Sequence, residues 1–250
     1  MTDWLKQEEE LFPDISWSKP QNKQQAGKLL IVGGNMHEFS NVAQAYSSAE
    51  RAGAGDIKVV LPDKLPKLLQ GSDLPIQAVA STSSGGISKE SLEEIKGYCN
   101  WADYIFLCGQ LGKNSETQVL LNMLEGDNYV LVDDAIDMAE FGFKKDKTLV
   151  ASFNQLQEIF SSSELDTTIT SNMNLPEYID RLVELDMQIV TWWQGLVIVV
   201  ANKKVSTTKL EADPIILGAY SSTYLMQNRN NFEALTSAVW GIKSGAAGGS

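Results

Sequence analysis

The sequence predicts an α/β protein built on a mostly parallel sheet with helices on both faces. Three observations carry that expectation. Short apolar β runs alternate with helical segments of roughly ten to fifteen residues. Glycine or proline punctuates the units, at Gly33-Gly34, Gly53-Ala54-Gly55 and Pro62. A hairpin signal appears only late in the chain, around Asn202-Lys203-Lys204, and predicts an antiparallel edge on an otherwise parallel sheet.

Each element can be justified in order. Residues 1–27 are polar, with Pro13, Pro20 and a Gln/Lys-rich stretch, and read as a short helix followed by an extended arm. Residues 28–32 (KLLIV) form a compact strand. Ser40 caps a helix over about 40–51 with Val42, Ala45, Tyr46 and Ala49 at helical spacing. Gly53-Ala54-Gly55 stops it, and residues 56–61 (DIKVVL) make the next strand. The pattern then repeats. A helix spans 88–96 behind Ser88, a strand 104–108, a helix about 115–124, a strand 129–132 ending at Asp133 and a short strand 148–151. Helices are expected near 154–160 and from Pro176 to about 186. Strands 189–193, 196–201 and 205–207 form the late hairpin, and helices 214–227 and 232–243 close the chain.

Neither an internal repeat nor a long linker interrupts this order, so one domain is expected over 1–243, with 1–27 as an N-terminal arm. Residues 244–250 (SGAAGGS) have linker composition and are expected to be a flexible tail of the kind left by recombinant expression.

Composition narrows the function. The chain has 250 residues, 43% hydrophobic and 21% charged, the balance of a globular protein with a full core. Its net charge of −12 argues against binding nucleic acid or an anionic membrane, which need clustered Lys and Arg. A nucleotide pocket stays possible, because helix N-termini and backbone amides hold phosphate without a basic surface. Cys99 and Cys108 are too few for a disulfide scaffold or a structural zinc site, and Cys108 reads as a buried thiol. The N-terminal residues lack the apolar centre of a signal peptide, and no run approaches 18 apolar residues. The expected location is the cytoplasm.

The chemistry is limited by what is missing. One histidine, His37, excludes His pairs, a His-metal cluster and a conventional triad, and it reads as an exposed loop residue. There is no Walker-type lysine loop and no G-x-G-x-x-G. Three loops, Gly33-Gly34-Asn35, Gly109-Gln110-Leu111-Gly112 and Asp133-Asp134, follow expected strands. Such strand ends are where open parallel sheets bind ligands, and glycine there lets backbone approach a ligand closely. The same glycines also serve plain strand-to-helix turns.

Residues 19–61, KPQNKQQAGKLLIVGGNMHEFSNVAQAYSSAERAGAGDIKVVL, resemble the opening of the ADP/ATP-dependent NAD(P)H-hydrate dehydratases, a family of the ribokinase-like carbohydrate kinase superfamily. The likeness lies in a basic-Pro arm, a Gly-Gly loop, a small-residue helix, Arg51 and Gly53-x-Gly55. Later stretches follow in order: ADYIFLCGQLGKNSET, YVLVDDAIDM, and the pair WWQGLVIVV and ANKKVST. The resemblance implies a ribokinase-like α/β/α sandwich and a small-molecule nucleotide ligand. The implied activity uses ADP or ATP with Mg²⁺ to dehydrate hydrated NADH or NADPH, by phosphorylating a hydroxyl and then losing phosphate. It also implies a homo-oligomer. By the same resemblance, Gly34, Gly112 and Asp133 bind substrate, joined by Asn35, Ser40 and Asn41 around the first loop, while Gly195 binds nucleotide and Asp213 acts as base.

The departures from the family pattern are concentrated at the phosphate. Its Gly-Thr-Gly-Asp turn, whose amides form an anion hole, reads here as residues 210–214, Leu-Glu-Ala-Asp-Pro. Asp213 before Pro214 equally fits a helix N-cap. The Thr-Pro-His-x-x-Glu stretch reads as Val150-Ala151-Ser152-Phe153-Asn154-Gln155, and the Lys-Gly of the nucleotide strand as Gln194-Gly195. Ser40-Asn41 replaces a Gly-Ala pair, and Gln110 replaces a glycine. Two readings follow: a dehydratase-like enzyme, or a catalytically inactive ribokinase-like protein that binds a nucleotide-type ligand or serves in assembly. A sugar or vitamin kinase with an altered site is a third. Trp192-Trp193 reads as packing or a ligand-stacking pair, and Asp133-Asp134 as a water-mediated Mg²⁺ site or a cap of the next turn.

Overall fold

A computed structural model describes residues 4–65, 74–165, 167–211 and 213–247. The strands are β1 (Leu5–Gln7), β2 (Lys28–Val32), β3 (Asp56–Pro62), β4 (Ile76–Val79), β5 (Tyr104–Leu107), β6 (Tyr129–Val132), β7 (Thr148–Val150), β8 (Gln188–Trp193), β9 (Leu196–Ala201) and β10 (Lys204–Lys209). The helices are α1 (Pro13–Trp17), α2 (Ser40–Ala52), α3 (Leu92–Trp101), α4 (Ser115–Asn122), α5 (Asp134–Met138), α6 (Phe141–Lys145), α7 (Phe153–Ser162), α8 (Leu175–Glu184), α9 (Pro214–Gln227) and α10 (Asn231–Ala247).

The strands make one ten-stranded sheet in the order β1-β10-β9-β8-β7-β6-β5-β2-β3-β4. From β8 to β4 every pairing is parallel, and β9 runs antiparallel to both β8 and β10. The late hairpin is therefore where the sequence places it. It is not outermost: β1 covers β10 in parallel, with Leu5 opposite Ser206. The expected single short helix in the polar arm is preceded by this strand, whose Gln7 is buried and whose Oε1 accepts from Thr208 Oγ1 at 2.7 Å.

Side chains leave a strand alternately to its two faces, so each strand feeds two cores. Leu30 and Val32 of β2 pack with Ile95, Leu120, Leu156 and Tyr178 under α3, α4, α7 and α8. Leu29 and Ile31 pack with Val42, Ala45, Leu217 and Leu235 under α2, α9 and α10. The result is a three-layer α/β/α sandwich. Helix α9 lies against β5 and β6 because Gly218 lacks a side chain: a Cβ there would stand 2.5 Å from the Phe106 ring and 2.9 Å from Val132 Cγ1. Residues 244–247, expected in a loose tail, continue α10. No helix among the described residues is long and apolar enough to cross a membrane.

Candidate functional site

Because β2, β5, β6 and β7 run parallel, their carboxyl ends lie along one rim, and the three glycine- and aspartate-bearing loops meet there. Gly34 donates its amide to the Gly109 carbonyl at 3.0 Å, tying the first loop to the second. Asn35 is buried, and its Nδ2 donates to the Gln110 carbonyl at 2.8 Å while its Oδ1 accepts from the amides of His37 and Glu38. The Asp134 carboxylate accepts from the amides of Leu111 and Gly112, each at 3.2 Å. Gly109 has a positive φ and sits against Asp133, whose Cβ would be 2.6 Å from a Cβ on Gly109, so that turn admits only glycine. These bonds make the rim a knitted frame.

Beside it lies a cavity of about 480 Å³. Asn41 from α2, Asp133 and Asp137 from the β6–α5 corner, and Ser152, Asn154, Gln155 and Glu158 from the start of α7 form one side. Trp192 of β8, with Asp213, Pro214 and Ile215 at the start of α9, forms the other. Four carboxylates line this space; among the described residues no lysine, arginine or histidine lines it, and Lys113 Nζ approaches from outside to 3.7 Å from Asp137 Oδ2.

Asp133 anchors the site. Its backbone adopts φ 53°, ψ −138°, a region that side-chain-bearing residues avoid. Strain of that kind costs on the order of 1–3 kcal/mol and persists where surrounding structure enforces it. Here the enforcers are Gln155 Nε2, which donates to the Asp133 carbonyl at 2.9 Å, and Asn41 Nδ2, which reaches Asp133 Oδ2 at 3.3 Å. Gln155 Nε2 also donates to Asp137 Oδ1 at 2.8 Å. Partial burial pushes the Asp133 carboxyl above the usual range, and neighbouring Asp137 adds to the effect. Asp134 is raised for the same first reason, with Asp133 reinforcing it.

The N-termini of α2 and α9 at this cleft are occupied by the protein's own side chains. Gln110 has φ 55°, and its Oε1 accepts from the Asn41 amide at 3.0 Å while its Nε2 donates to Ser40 Oγ at 3.0 Å. At α9, Pro214 has no N–H. The amides of Ile215 and Ile216 donate to Asp213 Oδ1 at 2.8 and 3.4 Å, and Leu217 donates to the Asp213 carbonyl. The first turn of α9 therefore has no free donor for a phosphate.

Of the sequence-derived site residues, Asn41, Asp133 and Asp213 line the cavity together. Gly34, Asn35, Ser40 and Gly112 build the frame behind it, and Gly34 and Gly112 have positive φ. Gly195 lies elsewhere: with Gln194 it forms the exposed turn joining β8 to β9, outside the residues that line the cavity. His37 is exposed. The tryptophan pair divides its duties. Trp193 packs at a tilt against Tyr178 and Phe153 at centroid distances of 4.7 and 5.1 Å, and Trp192 faces the cavity. Asp137 and Glu158 were not singled out from the sequence. Their available signal is spacing: Glu158 lies one helical turn after Asn154, and Asp137 one turn after Asp133.

Among the described residues no three His, Cys, Asp or Glu side chains come together as a metal-binding set. With the α9 amides taken and, among the described residues, no cation lining the cavity, the donors present do not fit a magnesium-bound polyphosphate.

The fold is ribokinase-like. No family model matches the chain, and no curated protein matches it. Among solved structures, a ribokinase-like superfamily protein from Enterococcus faecalis is 16% identical with a TM-score of 0.67, covering 89% of this chain and 79% of that one. A hypothetical protein from Streptococcus mutans is 16% identical with a TM-score of 0.66, covering 88% and 82%. The ADP/ATP-dependent NAD(P)H-hydrate dehydratase from Bacillus subtilis, co-crystallised with ATP/Mg²⁺, is 11% identical with a TM-score of 0.61, covering 89% and 80%.

Proposed function

We propose that this chain is a non-catalytic ligand-binding protein on a ribokinase-like scaffold, and that its ligand is of nucleoside type, held without a polyphosphate. The single observation that carries the reading is the sealed first turn of α9, where the Asp213 carboxylate takes the two amides that follow Pro214. In phosphoryl transfer, donors aimed at the developing charge are worth about 3–4 kcal/mol each. A helix start that spends them on its own aspartate leaves a transferred phosphate unsupported. The walls suit the rest of a nucleoside: Asp133, Asp137 and Glu158 accept from hydroxyl or amino groups, and Trp192 supplies an aromatic surface.

One observation favours the other reading, dehydration of hydrated NADH or NADPH driven by ADP or ATP. Asp213, the residue matched to the family base, stands at the cavity wall. Two measurements separate them. Under the binding reading, adenosine at millimolar concentration raises the melting temperature, and ATP with Mg²⁺ adds nothing beyond adenosine. Hydrated NADH with ADP or ATP and Mg²⁺ then yields no NADH absorbance. Turnover that Asp213→Asn abolishes would replace the proposal with the dehydratase.

A further inference from the structure

At the far edge of the sheet, where β1 meets β10, lies a second cavity of about 520 Å³. It shares no lining residue with the cleft. Its apolar walls are Trp4, Leu175 and Leu196, and its rim carries Lys6, Lys209 and Lys243, with Glu8 as the one carboxylate. Among the described residues none of the three lysines has an ion-pair partner within 4 Å. Lys6 lies 5.8 Å from the Trp4 ring centroid, and Lys243 lies 5.0 Å from that of Trp240. Two residues that line the cavity also hold buried donors that meet no acceptor among the described residues, Trp4 Nε1 and Gln7 Nε2.

This is an unusual spot on a chain with net charge −12. Three ammonium groups, without an ion-pair partner among the described residues, sit around apolar surface beside a single described carboxylate, Glu8, which leaves the spot positive. The volume is that of a small-molecule pocket, with apolar walls under a charged rim. We propose that this cavity binds an amphipathic anion: an apolar body against Trp4, Leu175 and Leu196, with a single carboxylate or phosphate head among Lys6, Lys209 and Lys243. A head of either kind supplies the countercharge and accepts from the ammonium groups.

The test uses the full chain with decanoate, decyl phosphate and decanol, below their aggregation limits, followed by calorimetry. Decanoate, decyl phosphate or both bind at least tenfold more tightly than decanol, and the preferred head shows which anion the rim selects. Raising salt weakens that binding. The combined Lys6→Gln, Lys209→Gln, Lys243→Gln variant weakens the anion at least tenfold and leaves decanol unchanged. Should that variant fold poorly, Lys209→Gln alone, on an exposed side chain, gives a smaller loss in the same direction. Equal binding of decanol, an anion affinity indifferent to the lysine changes, or no binding of either anion overturns the proposal. Because the cleft is untouched by these probes, none of those results bears on the nucleoside reading.

Discussion

Gln110 Oε1 accepts the backbone amide of Asn41 at 3.0 Å, so a side chain from the β5 loop caps the first turn of α2 across the binding rim. Its companion Nε2 holds Ser40 Oγ. A glycine at 110 would suit the backbone, whose φ is 55°, and would release both bonds. Gln110→Gly is therefore expected to lower stability by about 0.5–1 kcal/mol net, since the relieved backbone offsets part of a lost hydrogen bond. Urea titration reads the change, and a gain in stability contradicts it.

Asp213→Ala removes the carboxylate from the α9 amides. Loss of such a cap costs about 0.5–2 kcal/mol, and in a chain of this size that is a fall of several degrees in melting temperature. The same change bares two N–H groups toward the cavity. Sulfate or phosphate, inert toward the parent chain, should then partly restore the melting temperature. A variant as stable as the parent would show that the cap carries no weight.

The carboxyls of Asp133 and Asp134 are raised first by burial, then by the charge of Asp137 on Asp133 and of Asp133 on Asp134, so the folded chain holds their protons more tightly than the unfolded chain. Stability from these groups is present below the ordinary carboxylate range near pH ~4 and is lost as pH rises through their folded values. Asp133→Asn should be at least as stable as the parent at neutral pH, with its advantage fading in acid. Melting curves at several pH values test this, and an advantage confined to acid would reverse the sign.

Gly218→Ala places a methyl group 2.5 Å from the Phe106 ring and 2.9 Å from Val132. Both neighbours are buried strand residues, so the helix must shift. Overpacking of this kind costs about 1–3 kcal/mol, partly offset by alanine's higher helix propensity. A lower denaturation midpoint is expected. At Gly53, where a Cβ meets nothing within 4 Å but φ is 93°, alanine tests backbone strain without crowding.

Cys108 is fully buried, and burial raises its thiol far above the ordinary range; Cys99, partly buried, is raised for the same reason. Thiolate is the reactive form, so neither should react with an aromatic disulfide reagent at neutral pH until the chain unfolds. Rapid labelling of the native protein would count against this packing.

Most of the architecture could be read from residue order. The runs KLLIV, DIKVVL and LVIVVA are apolar enough to declare strands, and α9 begins and ends at the expected residues because Asp213-Pro214 marks its start. The unread parts share a physical cause. LKQ of β1 and IQAV of β4 are too short to show a period, and only pairing with β10 and β3 makes them strands. Of the site, Asn41, Asp133 and Asp213 were legible from position and resemblance. Asp137 and Glu158 were not, because tertiary folding alone brings α5 and α7 to one wall. The role of Gln110 was equally hidden: a lost glycine is visible in a sequence, whereas a side chain reaching 69 residues back to cap another helix is not.

The pairing of β1 with β10 joins residues about two hundred positions apart, Leu5 with Ser206 and Gln7 with Thr208. During synthesis β1 must wait for some two hundred further residues to leave the ribosome before it finds its berth. Until then the nascent sheet lacks its final stave, and β10, on emerging, is briefly open to strangers. Trimming the first seven residues would make that transient exposure permanent, and clumping in the cell would be its visible trace.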